Sequence, residues 1–435
     1  MIRHPVLDQL AASGVKMGLE RVASFLAHLG EPHLAYPVIH VAGTNGKGST
    51  CMMLTSALMA AGYRVGTNLS PHLEQVNERV RIDAAPIDDV TMGTAIEAMD
   101  RHRADWARAI GLTEAPLTYF EFLTVLALRH FAERKVDVAV IETGMGGRLD
   151  ATNVVKPVVT VITTVGLDHQ DVLGTTLTEI ASEKAGIMKK GVPTVIGLLP
   201  PEARDVVEAR ARMLGCELWR PGPQLRKEYR RGKWSFATPD GTVSEVDLPL
   251  QGEHMGHNAQ VAVGALHMLR RLGFHLPPDA IHGGLEAVDI AGRLEELAPG
   301  LIVDGAHNVD GAKALAAWLA KRERPGRRIL LLGMGAERDP VPVAQLLEPH
   351  VDEIVTTRCA HPKAADAMEL AIRLQNHLDV DLAAGRDIDH DLPEVYAEAD
   401  ETIVAGSLYL AGAARSLVRD GAIEGIVAGQ GAGEE

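Results

Sequence analysis

A β-branched run, Val38-Ile-His-Val-Ala42, passes without a break into Gly43-Thr-Asn-Gly-Lys-Gly-Ser-Thr50 and then into a helical pattern reaching about Ala61. No other stretch restricts the fold so tightly. A strand that ends in a glycine turn and restarts as a helix is half of a βαβ unit, and such units build parallel sheets. The glycines let backbone N–H groups curl around an anion, and the helix N-terminus adds partial positive charge. In this pattern Lys47 reaches the terminal phosphates of a nucleotide, and a hydroxyl, Ser49 or Thr50, holds Mg2+. The usual spacing has a glycine five residues before Gly46, where this chain has Val41, so the loop is a tighter variant. A turn that binds nothing would account for the glycines but not for Lys47 followed by two hydroxyls. Gly43, Thr44, Asn45, Gly46, Lys47, Gly48, Ser49 and Thr50 are therefore expected to cradle nucleotide phosphate.

The alternation continues. Strands are expected at Val38–Ala42, Arg64–Asn68, Val136–Glu142, Val158–Thr163 and Thr194–Leu198, with helices at Thr50–Ala61, Phe120–Arg134, Leu177–Lys189 and Pro201–Leu214. Apolar strands separated by helices predict a parallel sheet covered on both faces. Arg220–Val246 breaks the rhythm and reads as a small hairpin, followed by a helix from about His257 to Leu272. A second alternation starts near residue 300, with strands at Leu301–Val303, Arg328–Leu332, Glu353–Thr357 and Glu401–Ala405. Its helices are expected at about Gly311–Ala320, Pro340–Glu348, Lys363–Leu378 and Leu408–Arg419. At 435 residues, two cores are expected rather than one. The boundary is placed between Ile290 and Pro299, giving domains 1–295 and 296–435, and the tail Ala428–Glu435 is expected to be disordered.

Composition narrows the function classes. A net charge of −15, from 43 basic and 58 acidic residues, argues against a nucleic-acid surface but allows a local basic pocket for anionic ligands. Cys51, Cys216 and Cys359 are too few and too scattered for a disulfide framework or a paired-cysteine metal site. The N-terminus lacks the apolar stretch of a signal peptide, and no run approaches the ~20 apolar residues that span a bilayer. A soluble, cytoplasmic protein with no membrane or nucleic-acid partner is expected.

Ligands of open α/β sheets bind at the carboxyl ends of strands, so polar residues there are the candidates for chemistry. Glu142 closes one apolar strand, and Asp168 and His169 follow the next. A lone Asp or His is ordinarily a helix cap or a satisfied buried group; two such strand ends beside a phosphate loop favour metal binding. Asp304 and His307 repeat the pattern in the second unit, and Arg293 lies in the linker, where a guanidinium suits a phosphate. Lys184, in Glu183-Lys-Ala-Gly-Ile187, reads by itself as part of a solvated helix surface.

Taken in order, Leu19-Glu-Arg-Val22, the phosphate loop, Ser70-Pro-His-Leu73, Asn77-Glu-Arg-Val-Arg81 and Tyr119-Phe-Glu-Phe122 resemble the folylpolyglutamate synthase and dihydrofolate synthase family of the Mur ligase superfamily. The likeness continues through Gly144-Met-Gly-Gly-Arg-Leu-Asp-Ala-Thr-Asn153, Leu167-Asp-His169, Glu183–Ile187, Gly292-Arg-Leu-Glu295, Asp304-Gly-Ala-His-Asn308 and Gly406-Ser-Leu-Tyr-Leu410, covering nearly the whole chain. It implies an α/β fold in which a P-loop parallel-sheet ATPase domain precedes a smaller, Rossmann-like α/β domain that binds glutamate. Ser49, Ser70, Glu142 and His169 match the family's Mg2+ ligands, and Lys47, Lys184 and His169 its catalytic group. Lys184 matches a lysine that takes up CO2 as a carbamate, which replaces the surface reading of that residue. Asn258, Arg293, Asp304 and His307 match contacts to ATP alongside the phosphate loop. Arg81, Thr118, Phe120 and Asp150 match the pterin pocket of bifunctional bacterial members. Three departures stand out: Met255 replaces a common glutamine, Gly333–Asp339 lacks an Asp-Lys-Asp ending, and Cys359–Lys363 differs from a Pro-Arg-Ala motif.

The implied reaction is ATP-dependent amide formation through an acyl phosphate, joining L-glutamate to dihydropteroate and to reduced folates, with the enzyme expected as a monomer. Alternatives are a folylpolyglutamate synthase alone or another Mur-type amino-acid ligase, a nucleotide switch without ligase activity, and a non-catalytic folate-binding protein. A cell-wall ligase would need an added N-terminal domain, whereas 37 residues precede Val38.

Overall fold

The computed structural model describes residues 4–12, 14, 16–113 and 116–423; the tail expected to be disordered lies outside them. The chain divides into two units, Met1–Pro249 with His254–Asp289, and Leu250–Glu253 with Ile290–Glu435.

The first unit is built on eight strands: β1 Val38–Ala42, β2 Val65–Asn68, β3 Val80–Ile82, β4 Ala85–Pro86, β5 Val138–Glu142, β6 Pro157–Ile162, β7 Thr194–Ile196 and β8 Leu218–Trp219. Their order is β4-β3-β2-β5-β1-β6-β7-β8. From β2 to β8 neighbours run parallel, and β3 and β4 finish one edge antiparallel. β1 lies between β5 and β6, with Val41 opposite both Glu142 and Val161. All five β1 residues are buried, as a strand covered on both faces requires. The phosphate loop therefore opens at the middle of the sheet, flanked by the carboxyl ends that carry Glu142 and His169.

Helices cover both faces. Tyr119–Glu133 buries Phe122, Leu126 and Phe131 in the core that also contains Val38, Ala139 and Ile141. Leu177–Ala185 and Pro201–Leu214 bury Ile180, Ala181, Val207 and Ala211 with Ile162 and Ile196. The first of these stops four residues before its expected end, at Gly186. Helices Pro5–Ala11, Glu20–His28, Asp89–Ala109, Gln170–Leu173 and Pro278–Glu286 escape the sequence reading. Asp89–Ala109, of 21 residues, is capped by Asp88 and buries only Met92, Ile96, Met99, Trp106 and Ala107. Pro278–Glu286 starts on proline at its first position and packs Gly284 against Ala57 of the phosphate-loop helix. The expected hairpin is a three-stranded antiparallel sheet, β9 Arg226–Arg230, β10 Lys233–Thr238 and β11 Gly241–Val246.

The second unit holds six strands in the order β12-β13-β17-β14-β15-β16: β12 Glu295–Ala298, β13 Leu301–Val303, β14 Arg328–Leu332, β15 Glu353–Thr356, β16 Asp381–Ala384 and β17 Glu401–Ala405. Only β12 is antiparallel. Leu315, Leu330, Ile354, Leu370 and Ile403 lie in its core. The helix expected over Lys363–Leu378 shrinks to Ala367–Leu374, because Ala364 bridges to Gly335 and Asp366 supplies the N-cap. Arg328 and Glu401, both almost fully buried, pair at the opposite ends of β14 and β17 from the loops discussed below. Among the described residues no helix is long and apolar enough to cross a membrane.

Candidate functional site

The turn after β1 is held from the neighbouring strand end. Thr44 N–H donates to the Thr164 carbonyl at 2.9 Å. Its hydroxyl donates to the Gly166 carbonyl at 3.2 Å and accepts the Gly166 N–H at 3.0 Å. Asn45 N–H donates to Thr164 Oγ1 at 2.9 Å, and its carbonyl accepts Thr163 Oγ1 at 2.6 Å and Thr164 Oγ1 at 3.0 Å. Gly46 has φ +81°, and a Cβ there would run into the Asn258 carboxamide. The helix begins at Lys47, three residues earlier than expected, and Lys47 Nζ rests on the Thr44 carbonyl at 3.2 Å. Glycine turn, lysine and first helical turn are thus held by hydrogen bonds from the protein itself.

Beside this turn, Glu142 is 5% exposed and accepts the Ser70 N–H at 2.9 Å. A Cβ built on Gly48 would stand 3.7 Å from Glu142 Oε2, which puts the carboxylate against the first turn of the helix. Ser49 is buried there, and the Thr50 and Ser70 hydroxyls are buried with no protein hydrogen-bond partner. The unpartnered Ser70 hydroxyl, on the residue whose N–H the Glu142 carboxylate accepts, suits a hydrated hard cation. Among the described residues no three His, Cys, Asp or Glu side chains converge as a complete site, so phosphate oxygens and waters would have to finish the coordination of Mg2+. His169 follows β6 with φ +51°, a left-handed conformation that is rare for a non-glycine residue and typical of functional positions. Its N–H donates to Asp168 Oδ1 at 2.9 Å.

Lys184 is 2% exposed, which removes the surface reading. Burial, reinforced by the positive charge of Lys47, lowers its pKa from 10.5 to about 7 against the opposing pull of Asp168 and Asp150. Its placement comes from the glycine-rich turn after β5. Gly147 passes so close to the end of the helix Leu177–Ala185 that a Cβ would sit 2.8 Å from the Glu183 carbonyl and 2.9 Å from that of Lys184. Arg148 N–H then donates to the Glu183 carbonyl at 2.7 Å.

The same turn organises the remaining candidates. Asp150 Oδ2 accepts Met145 N–H at 2.8 Å, while Oδ1 accepts Thr152 N–H at 3.0 Å and Thr152 Oγ1 at 2.6 Å. Thr152 Oγ1 also meets His40 Nε2 at 2.8 Å, linking the turn to β1. Burial raises the Asp150 pKa and the hydrogen bonds from Thr152, Met145 and Gly144 pull it back. The Phe120 ring fills the space a Cβ on Gly144 would need, and Thr118 caps the helix that carries it. Phe120 and Asp150 thus meet around one turn, with Thr118 at the adjoining cap. Arg81 lies on β3, between β2 and β4, with its guanidinium donating to the Glu78 and Ala84 carbonyls at 3.0 and 2.8 Å. The sequence reading passed over His40, Thr152, Thr163 and Thr164 as supports; hydroxyls following buried strands were the available signal.

In the second unit, Arg293, Asp304 and His307 gather at the carboxyl end of β13. Asp304 Oδ2 accepts Leu294 N–H at 2.9 Å and Oδ1 accepts Ala306 N–H at 2.8 Å. The Arg293 guanidinium lies against Gly305, and His307 Nδ1 meets the Gly305 carbonyl at 2.8 Å. Of the three departures, Met255 is buried and its sulfur accepts weakly from Asn258 Nδ2 at 3.8 Å. Ala336 N–H donates to the Lys363 carbonyl at 2.9 Å, tying the other two together, and His361 stacks on Tyr409 with ring centres 3.8 Å apart.

Residues 41–266 match the Mur ligase middle domain and residues 292–412 the Mur ligase glutamate ligase domain. A folylpolyglutamate synthase of Lacticaseibacillus casei is 34% identical over 421 residues, covering 92% of this chain and 94% of its own. The chain belongs to the folylpolyglutamate and dihydrofolate synthase family of Mur ligases. Within it, a Mycobacterium tuberculosis dihydrofolate synthase/folylpolyglutamate synthase is 34% identical over 453 residues, with 96% of this chain and 93% of the relative covered. The solved E. coli FolC in complex with DHPP and ADP superposes with a TM-score of 0.85 at 32% identity, over 95% of this chain and 96% of that one. The family's bifunctional and single-activity members share this fold, so the activity has to be argued from the residues.

Proposed function

We propose that this protein is an ATP-dependent ligase that joins L-glutamate to dihydropteroate and to reduced folates, acting as a cytoplasmic monomer. The observation that carries the reading is the phosphate loop with Lys47, the adjoining Glu142, two unpartnered hydroxyls and the buried Lys184 amine. Likeness to bifunctional synthases over more than nine-tenths of the chain supports the choice of substrates.

The first unit binds ATP on residues 43–50, with Asn258 bracing Gly46. Glu142, Ser49, Ser70 and His169 would hold Mg2+, which supplies charge neutralisation for phosphoryl transfer. The substrate carboxylate attacks the γ-phosphorus, the bond to the β-phosphate oxygen breaks, and ADP leaves. Lys47 places a positive charge on the phosphate oxygens as this happens, so positioning and electrostatics do most of the work. The glutamate amine then attacks the acyl carbon, loses a proton, and displaces phosphate. Arg293, Asp304 and His307 belong to the nucleotide side of the second unit, whose remaining loops take glutamate. Arg81, Thr118, Phe120 and Asp150 hold the pterin end, Asp150 chiefly by fixing the turn, since both its oxygens are already engaged.

A product assay by mass tests this: protein, MgATP and glutamate with dihydropteroate in one tube and tetrahydrofolate in another. Dihydrofolate from the first and a glutamate-extended folate from the second are expected. Product only from tetrahydrofolate would reduce the function to chain extension. No product from either, beside an active control synthase, would overturn the reading.

A further inference from the structure

Arg21, in the helix Glu20–His28, lies outside the constellation described above yet is wired into it. Its Nε and Nη2 both donate to Glu121 Oε1, at 3.0 and 2.7 Å, and Nη2 also donates to the Lys16 carbonyl at 2.8 Å. The Glu121 side chain is 3% exposed and that of Arg21 24%. The other oxygen, Oε2, accepts the Thr118 N–H at 2.8 Å, while Thr118 Oγ1 accepts the Glu121 N–H at 3.3 Å. One buried carboxylate therefore clamps the N-terminal segment and the start of the helix bearing Phe120 at the same time. A second tie runs alongside: Gly18 N–H donates to the Leu149 carbonyl at 3.4 Å, next to Asp150.

We infer that Arg21 is a positioning residue for the pterin end of the acid substrate, acting through Glu121 on Thr118 and Phe120. The inference rests on the assignment of Thr118, Phe120 and Asp150 to that substrate. A carboxylate this deeply buried needs a compensating charge, and removing one partner of a buried pair leaves the other uncompensated. Without Arg21, the buried Glu121 carboxylate loses its compensating charge and swings toward water, which weakens its hold on the Thr118 N–H. The phosphate loop is braced from Thr163, Thr164 and Gly166 instead, so nucleotide binding should not follow the change.

The test is steady-state ADP release with dihydropteroate and MgATP varied in turn, for wild type, Arg21→Met, Arg21→Lys and the double variant Arg21→Met/Glu121→Gln. Misplacing a binding element costs roughly tenfold or more, so Arg21→Met should raise KM for dihydropteroate by that much and leave KM for MgATP within about twofold. Glutamine at position 121 still accepts the Thr118 N–H but carries no charge, so the double variant should recover most of the lost affinity. Arg21→Lys keeps the charge without the fork and should fall between, which preserves the test if Arg21→Met does not fold. An unchanged KM for dihydropteroate in a wild-type background that saturates with it would overturn this inference alone. A parallel rise in both KM values, or no recovery in the double variant, would do the same. ADP release by the wild type that depends on neither dihydropteroate nor tetrahydrofolate would overturn the substrate assignment and this inference with it.

Discussion

Replacing Lys184 asks what that buried amine becomes in the working enzyme. An ordinary lysine with a pKa of 10.5 is almost wholly ammonium at pH 7, whereas Lys184, lowered to about 7, is half neutral there. The neutral fraction therefore rises by about a thousandfold, three to four powers of ten in the equilibrium. Only the neutral amine can attack the carbon of CO2, losing a proton to leave a carbamate. The Lys47 charge that disfavours the ammonium would favour the carbamate anion, while Asp168 and Asp150 act in the opposite sense in both cases. At fixed CO2 pressure the carbamylated fraction should fall as pH drops through about 7, and ADP release should fall with it. Protein equilibrated with 13C-labelled CO2 should show a carbamate carbon signal by NMR that is missing in Lys184→Ala. Turnover of Lys184→Ala should drop by about a hundredfold and recover in part with added formate or acetate. A variant at nearly wild-type rate, or no labelled carbamate at pH 8, would refute this account.

Other outcomes follow from the same geometry. Lys47→Ala should cut ADP release by about a thousandfold, since it removes the positive charge held at the phosphate turn. Gly46→Ala places a side chain at φ +81° and against Asn258, so it should cost at least about 1–2 kcal/mol in urea unfolding and raise KM for MgATP. In CO2-free buffer, the unfolded chain carries a proton on Lys184 between about pH 7 and 10.5 that the folded chain has lost, so stability rises with pH across that window; Lys184→Met should flatten the rise. Arg328→Met removes one of the two arginines paired with the buried Glu401, leaving Arg322 on its other oxygen, and should destabilise the protein by about 1–3 kcal/mol in urea unfolding, with activity per folded molecule unchanged.

Much of the architecture was legible because buried parallel strands are written as continuous apolar runs. β1, β5, β6 and the four central strands of the second sheet announce themselves that way. What escaped was structure whose signal is narrow or interrupted. Asp89–Ala109 buries only five of its 21 residues and contains Gly93, so its polar surface masks it. Ile388–Glu398 carries Pro393 inside the helix, which reads as a break. The edge strands β4, β12 and β16, and β3 next to β4, are two to four residues long and partly exposed. Among site residues, strand-end carboxylates were visible as such, but Lys184 was not: its burial depends on Gly147, in a turn nearly forty residues upstream. Likewise the supports of Asp150 lie on β1 and on the turn itself, and only the fold brings His40 to Thr152.

The six hydrogen bonds that join residues 44 and 45 to residues 163–166 have a bearing on how defects in this protein would present. Because these bonds come from the protein itself, they reduce the ordering of the backbone that a bound nucleotide has to impose. The converse is that loss of a hydroxyl at Thr163 or Thr164, about 120 residues away along the chain, would loosen the turn and surface as weakened nucleotide affinity. Such a variant would look like a mutation of the phosphate loop although every residue of that loop was intact.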